Sequence, residues 1–178
     1  DIANLAAFGR GWRGAVQADA TFADDGTGAR RLTLTGTGNG LSLGQANVDG
    51  ALAGRTDFTL RGVERDGLFT IDEARIANPR LRADATGRVG AGQSDLAFTA
   101  DVADLAPLGL GLRGGLAGRG TLTSRGDNLS LAATGTGRNL AIGQPEADRI
   151  LAGATSFDLA ARREGGVLRL DRLRASNP

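Results

Sequence analysis

The groups in this chain that could do chemistry are carboxylates, guanidiniums and hydroxyls. Of its 178 residues, 16 are Asp, four are Glu and all 21 cations are Arg, while His, Cys, Lys, Met and Tyr do not occur. That inventory excludes a Ser-His-Asp or Cys-His nucleophile, a Schiff-base lysine and an imidazole or thiolate metal site. Acidic chemistry survives, because two carboxylates can hydrolyse a glycoside or hold a hard cation. Asp24-Asp25-Gly26-Thr27-Gly28 and Asp101 to Asp104 are the places to look. Neither has the alternating Asp positions and distal Glu of a calcium loop, and Asp-Gly clusters are ordinary turn chemistry. No acidic pair recurs beside an aromatic subsite, so glycoside hydrolysis is not expected. Gly36-Thr37-Gly38-Asn39-Gly40 could superficially cradle a phosphate. No Lys follows it and its flanks read as strands, which points to a turn or bulge. The expectation is a protein that is not an enzyme, with no catalytic residue, metal ligand or cofactor.

Charge adds little. The formal net charge is +1 with the signs interspersed, and no basic stripe alternates with aromatics, so nucleic acid is not an expected partner. Arg30-Arg31 and Arg162-Arg163 fit a solvated face. There is no apolar run of about 18 residues and no leader-like start, so nothing reads as a membrane span or signal. The chain opens on Asp1 and closes on Asn177-Pro178, which reads as a segment of a larger protein. The absence of Cys leans mildly towards an exported one. Hydrophobic residues make up 40% of the chain, enough for a core, but only Trp12 and six Phe are aromatic. With 29 Gly, the composition favours strands and turns, the glycines serving as turns and bulges that let a sheet curl.

The elements that must position any surface are repeated. Asp1-Ile-Ala-Asn-Leu-Ala recurs as Asp101-Val-Ala-Asp-Leu-Ala, and Gly11-Trp-Arg-Gly as Gly111-Leu-Arg-Gly. Further on, Thr35-Gly-Thr-Gly matches Thr134-Gly-Thr-Gly, Leu52-Ala-Gly matches Leu151-Ala-Gly, and Asn78-Pro79 matches Asn177-Pro178. The organisation expected is a first repeat unit over 1–100 and a second, incomplete one over 101–178, in one continuous sheet. Trp12 gives way to Leu112 and so reads as core packing.

Within each unit apolar residues alternate with Thr, Arg and Asp. Val16 to Phe22, Leu32 and Leu34, Phe58 and Leu60, Leu81 to Ala85 and Leu96 to Val102 keep period 2, the mark of strands with one apolar and one wet face. Asp66-Gly67 and Gly165-Gly166 suit tight hairpins. In both copies the phase slips once, at Asp72-Glu73 and at Asp171-Arg172, which predicts either a bulge or a break in the strand. Gln144-Pro145-Glu146 through Gly153 reads as a two-turn helix, with Gln45 to Gly54 its weaker counterpart. Asn4-Leu5 and Asp104-Leu105 head single turns that could cap one edge.

A one-faced sheet with such short helices must cover itself or be covered. A period near 100 residues favours an open-ended curl over a closed barrel. The fold class expected is all-β, an elongated curled antiparallel sheet that forms a groove. Its lining would be Val16, Phe22, Leu32, Leu34, Phe58, Leu60, Phe69, Ile71, Leu96, Phe98, Leu122, Leu131, Phe157, Leu159, Leu168 and Leu170, and an acyl chain is its reasonable guest. The rival expectation is a dry structural β-solenoid or stalk of a surface or secreted protein.

Several stretches carry a likeness: Ala103-Asp-Leu-Ala-Pro-Leu108, Gly115-Leu-Ala-Gly-Arg-Gly-Thr-Leu-Thr123, Leu131 to Leu140, Ile150-Leu-Ala-Gly153, Leu168-Arg-Leu-Asp171 and Ser176-Asn-Pro178. Their succession resembles the repeated periplasmic region of the TamB (translocation and assembly module) family of AsmA-like proteins, across essentially the whole chain. The resemblance implies a β-taco fold and a periplasmic place in a Gram-negative bacterium, with the parent anchored in the inner membrane. It also implies phospholipid acyl chains and an outer-membrane TamA-like barrel as partners, and a role in moving phospholipid and assembling outer-membrane proteins.

Overall fold

A computed structural model describes residues 13–42, 44–109 and 111–177; Trp12 and the opening block Asp1 to Leu5 lie outside them. The elements run β1 Arg13–Asp24, β2 Ala29–Ser42, α1 Ala46–Ala51, β3 Arg55–Arg65, β4 Leu68–Ala77, β5 Leu81–Gly90 and β6 Gln93–Val102. A 3₁₀ turn, Ala106–Leu108, leads into β7 Arg113–Arg125, β8 Asn128–Ala141, α2 Pro145–Leu151, β9 Ala154–Glu164 and β10 Val167–Ser176. The ten strands form one unclosed, curled antiparallel sheet in simple chain order, with β1 and β10 at its edges. The all-β curled sheet read from the alternation is therefore the fold. From β2 to β4 and from β8 to β10, element starts recur 99 residues apart, as in Ala29 and Asn128, Arg55 and Ala154, Leu68 and Val167.

The turns follow their residues. Asp66 and Gly67 sit at φ 53° and 76°, Gly165 and Gly166 at 55° and 81°, the paired left-handed conformations of a two-residue hairpin whose twist matches the strands. The phase slip is a bulge, and the strand continues through it. Opposite β3, Arg61 pairs with Glu73 and Gly62 with Ile71, leaving Asp72 over; opposite β9, Leu170 and Arg172 pair with neighbouring residues, leaving Asp171 over. Ala74 and Leu173 thereby return to the apolar face. The Asp24–Gly28 turn is closed by its own carboxylates. Asp24 Oδ1 accepts the Gly26 N–H, and Asp25 Oδ1 accepts the Thr27 N–H and hydroxyl at 2.8 and 2.7 Å and the Ala29 N–H at 3.3 Å. Asp104 Oδ1 likewise takes the N–H groups of Ala106 and Gly114.

Little is fully buried. The chain exposes 11232 Å², whereas a compact 18.1 kDa monomer would expose about 8,100 Å². Among the described residues the buried apolar side chains are Ala29, Ala51, Leu52 and Leu105, and three of these four sit where α1 meets the 3₁₀ turn. The approach there is close enough that a Cβ on Gly50 would lie 1.7 Å from the Pro107 carbonyl oxygen. That contact joins the β2–β3 connection to the β6–β7 connection, four strands away, which a flat sheet would hold about 19 Å apart at its strand spacing. Below it lies a buried polar clasp. Thr56 is 0% exposed, and Asn78 Nδ2 donates to Ala51 O at 2.8 Å and to Thr56 Oγ1 at 3.1 Å. Asn78 Oδ1 accepts from the backbones of Arg80 and Leu81. Asn177 repeats the arrangement at α2, donating to Ile150 O and accepting from the Thr155 hydroxyl at 2.6 Å.

Candidate functional surface

Directly opposed residues in antiparallel strands point to the same side of a sheet, so the register decides which side chains share a face. One row runs Phe22, Leu32, Gly62, Ile71, Gly87, Leu96, Leu122, Leu131, Ala161, Leu170 from β1 to β10. The adjoining rows bring in Leu34, Leu60, Phe98 and Leu159, then Phe58 and Phe157, then Val16, and on the other side Phe69 and Leu168. All sixteen residues expected to line a groove lie on one face. Thirteen are half-buried; Phe22 is 65% exposed, Leu168 75% and Leu170 56%. They form a continuous apolar surface that the chain leaves open to solvent.

The glycines do more on this face than turn the chain. Gly36 is registered against Phe58, Gly120 against Phe98 and Gly135 against Phe157, with Phe69 reaching Gly62 diagonally. A Cβ at any of these four glycines would come within 2.8 Å of the ring's Cζ. Each ring therefore lies down across the neighbouring strand, covering backbone that a side chain would otherwise shield. The expectation that glycine serves turns and bulges holds at positions such as Gly67 and Gly166, but these four are seats for rings. Gly36 and Gly38 lie inside β2, and the irregularity foreseen near them falls beside Gly40, opposite the register shift between Arg13 and Ala15.

The other face carries charge in a row of its own: Asp19, Thr35, Thr59, Arg75, Asp84, Thr99, Arg119, Thr134, Asp158, Arg174. Arg75 binds Asp84 at 2.6 Å and Arg172 binds Asp158 at 2.9 Å; the Arg75 pKa is raised, first by its hydrogen bond to Asp84 and then by the charges of Asp84 and Glu73. Arg61 and Glu73, and Arg162 and Asp171, make further pairs there, whereas Arg30 and Glu64 pair at the margin of the apolar face, in the row of Phe69; Arg30 and Arg162 are thus surface residues tied to carboxylates on opposite faces. All are exposed enough to contribute little each. A depression of about 500 Å³ lies on this polar side between Asp84 of β5 and Arg172 of β10, floored by Ala97, Thr99, Thr121 and Ala132 and holding Arg119.

Sequence reasoning located the apolar face but not the ring seats, the charge row or this depression. Alignment of successive strands by their hairpins would have exposed the first two. No protein-family model, curated protein or solved structure matches the chain.

Proposed function

We propose that this chain is a segment of a TamB-like, AsmA-related periplasmic protein whose apolar sheet face carries phospholipid acyl chains between the inner and outer membranes and so serves outer-membrane biogenesis and protein assembly. The observation that supports the reading is the uninterrupted apolar face registered across ten strands and left uncovered. Such a surface favours apolar guests at roughly 25 cal/mol per Å² buried and imposes no directional bond on them, so it needs no catalytic residue or cofactor. On this reading the parent is anchored in the inner membrane and meets a TamA-like barrel.

The test is native mass spectrometry of the purified chain for bound phospholipid, combined with a photocrosslinker at Phe58 or Phe157 and, as control, at Thr59 on the polar face. Lipid adducts from the two Phe positions and none from Thr59 are expected. Adducts from Thr59 alone would overturn the acyl face, and a lipid-free chain with an unreactive face would favour the dry stalk.

A further inference from the structure

On the polar face β7 carries a charge that no neighbour answers. In the charged row Arg119 stands midway between two carboxylates, with Thr99 and then Asp84 on one side and Thr134 and then Asp158 on the other. Each carboxylate is held from the outside by its own guanidinium, Asp84 by Arg75 at 2.6 Å and Asp158 by Arg172 at 2.9 Å. Arg119 is two strands from either, about 10 Å at the spacing of a sheet. Among the described residues its guanidinium makes no ion pair or hydrogen bond, and the hydroxyls of Thr99 and Thr134, directly opposite it in register, make none either. Two carboxylates against three guanidiniums leave one positive charge over.

Beside these free donors the surface is small and apolar. The next row along the strands runs Ala97, Thr121, Ala132, and its methyl groups floor the depression of about 500 Å³. Small-molecule sites occupy about 300–1,000 Å³ and combine an apolar wall with a few convergent polar groups. The strands that floor this one, β6 to β8, are each paired on both sides.

We propose that the depression binds a small organic monoanion, a carboxylate carried on a flat apolar body. The carboxylate accepts from the Arg119 guanidinium, whose planar fork matches its two oxygens, and from the Thr99 and Thr134 hydroxyls at either side. The apolar body lies on the methyls of Ala97 and Ala132. A single negative charge balances the surplus; a more highly charged anion exceeds it and meets Asp84 and Asp158 at the two ends, which disfavours it. The site lies on the face opposite the acyl surface, so it stands or falls independently of lipid carriage.

Methyl NMR of the 178-residue chain titrated with naphthoate tests it, because the two faces carry different methyl groups. Saturable shifts are expected at Ala97, Thr121 and Ala132, with Leu96, Leu122 and Leu131 unmoved. Arg119→Gln is expected to weaken binding about tenfold through loss of a charge-assisted hydrogen bond, and uncharged naphthamide should bind the unaltered chain as weakly. Thr121→Phe fills the floor and is expected to abolish the shifts. Both replaced side chains are exposed, so the circular dichroism of the variants should match that of the unaltered chain. Shifts centred on the leucines and indifferent to Arg119→Gln would overturn the proposal. So would equal binding of naphthoate and naphthamide, or no saturable shift on either face.

Discussion

The helix α1 and its counterpart α2 occupy the same place in the repeated element order, yet one is packed and the other only half-covered. Ala51 of α1 is 8% exposed, while Ile150, 99 positions later, is 70% exposed. Gly50 lets α1 lie against the Pro107 carbonyl; the corresponding residue of α2 is Arg149, which could not come so close. The larger apolar side chain is thus the one in water. Burial here is decided by what the sheet's curl delivers to a helix, and by whether the helix has a glycine to receive it.

The largest break in that contrast is expected from Leu52→Ala. Leu52 is 5% exposed, so its truncation costs about 3 kcal/mol, against about 1 kcal/mol for Leu151→Ala in the half-covered α2; urea unfolding midpoints of the two variants measure the difference. Gly50→Arg imports the residue of the second copy and is expected to cost about 2–3 kcal/mol by pushing α1 off the 3₁₀ turn. The reciprocal Arg149→Gly should cost no more than about 1 kcal/mol of helix propensity. If both substitutions cost the same, the contact at Pro107 is not what separates the helices. Asn78→Ala strips four hydrogen bonds from a clasp around a fully buried threonine, an expected loss of about 2 kcal/mol. Asn177→Ala, at the half-covered helix, should lose about half as much.

The smallest effect concerns two turns. The Asp25 pKa is lowered, chiefly by the Thr27 hydroxyl and then the Thr27 N–H, whereas the corresponding β7–β8 turn has only Gly126-Asp127. A carboxyl whose folded pKa lies below its unfolded value adds stability above the unfolded value and loses it as pH falls through the folded one. Asp25→Asn should therefore flatten the acid limb of stability slightly; urea midpoints at neutral and acid pH check it.

Much of this was legible in the residues. The one-sided alternation placed all sixteen apolar side chains on one face because period 2 leaves a strand no other choice, and a shared slip in phase at Asp72 and Asp171 marked where the bulges fall while leaving a break in the strand equally open. What could not be read is what lies across the curl. That Pro107 meets Gly50 and that Leu105 and Leu52 are both buried depend on cumulative twist over several strands, which no local pattern encodes. The ring seats lie between these cases, since each pairs a Phe with a Gly on an adjacent strand and needs only the hairpin register.

The strict chain order of the strands has a kinetic consequence. No strand pairing has to close a connection longer than the twelve residues between Ser42 and Arg55, so the sheet can assemble by successive short closures, each a modest entropic step. The contact of Gly50 with Pro107 is different, because it waits for β3 to β6 to be in place. It is the last knot tied and the first to loosen, so Leu52→Ala should hasten unfolding while leaving the folding rate nearly untouched.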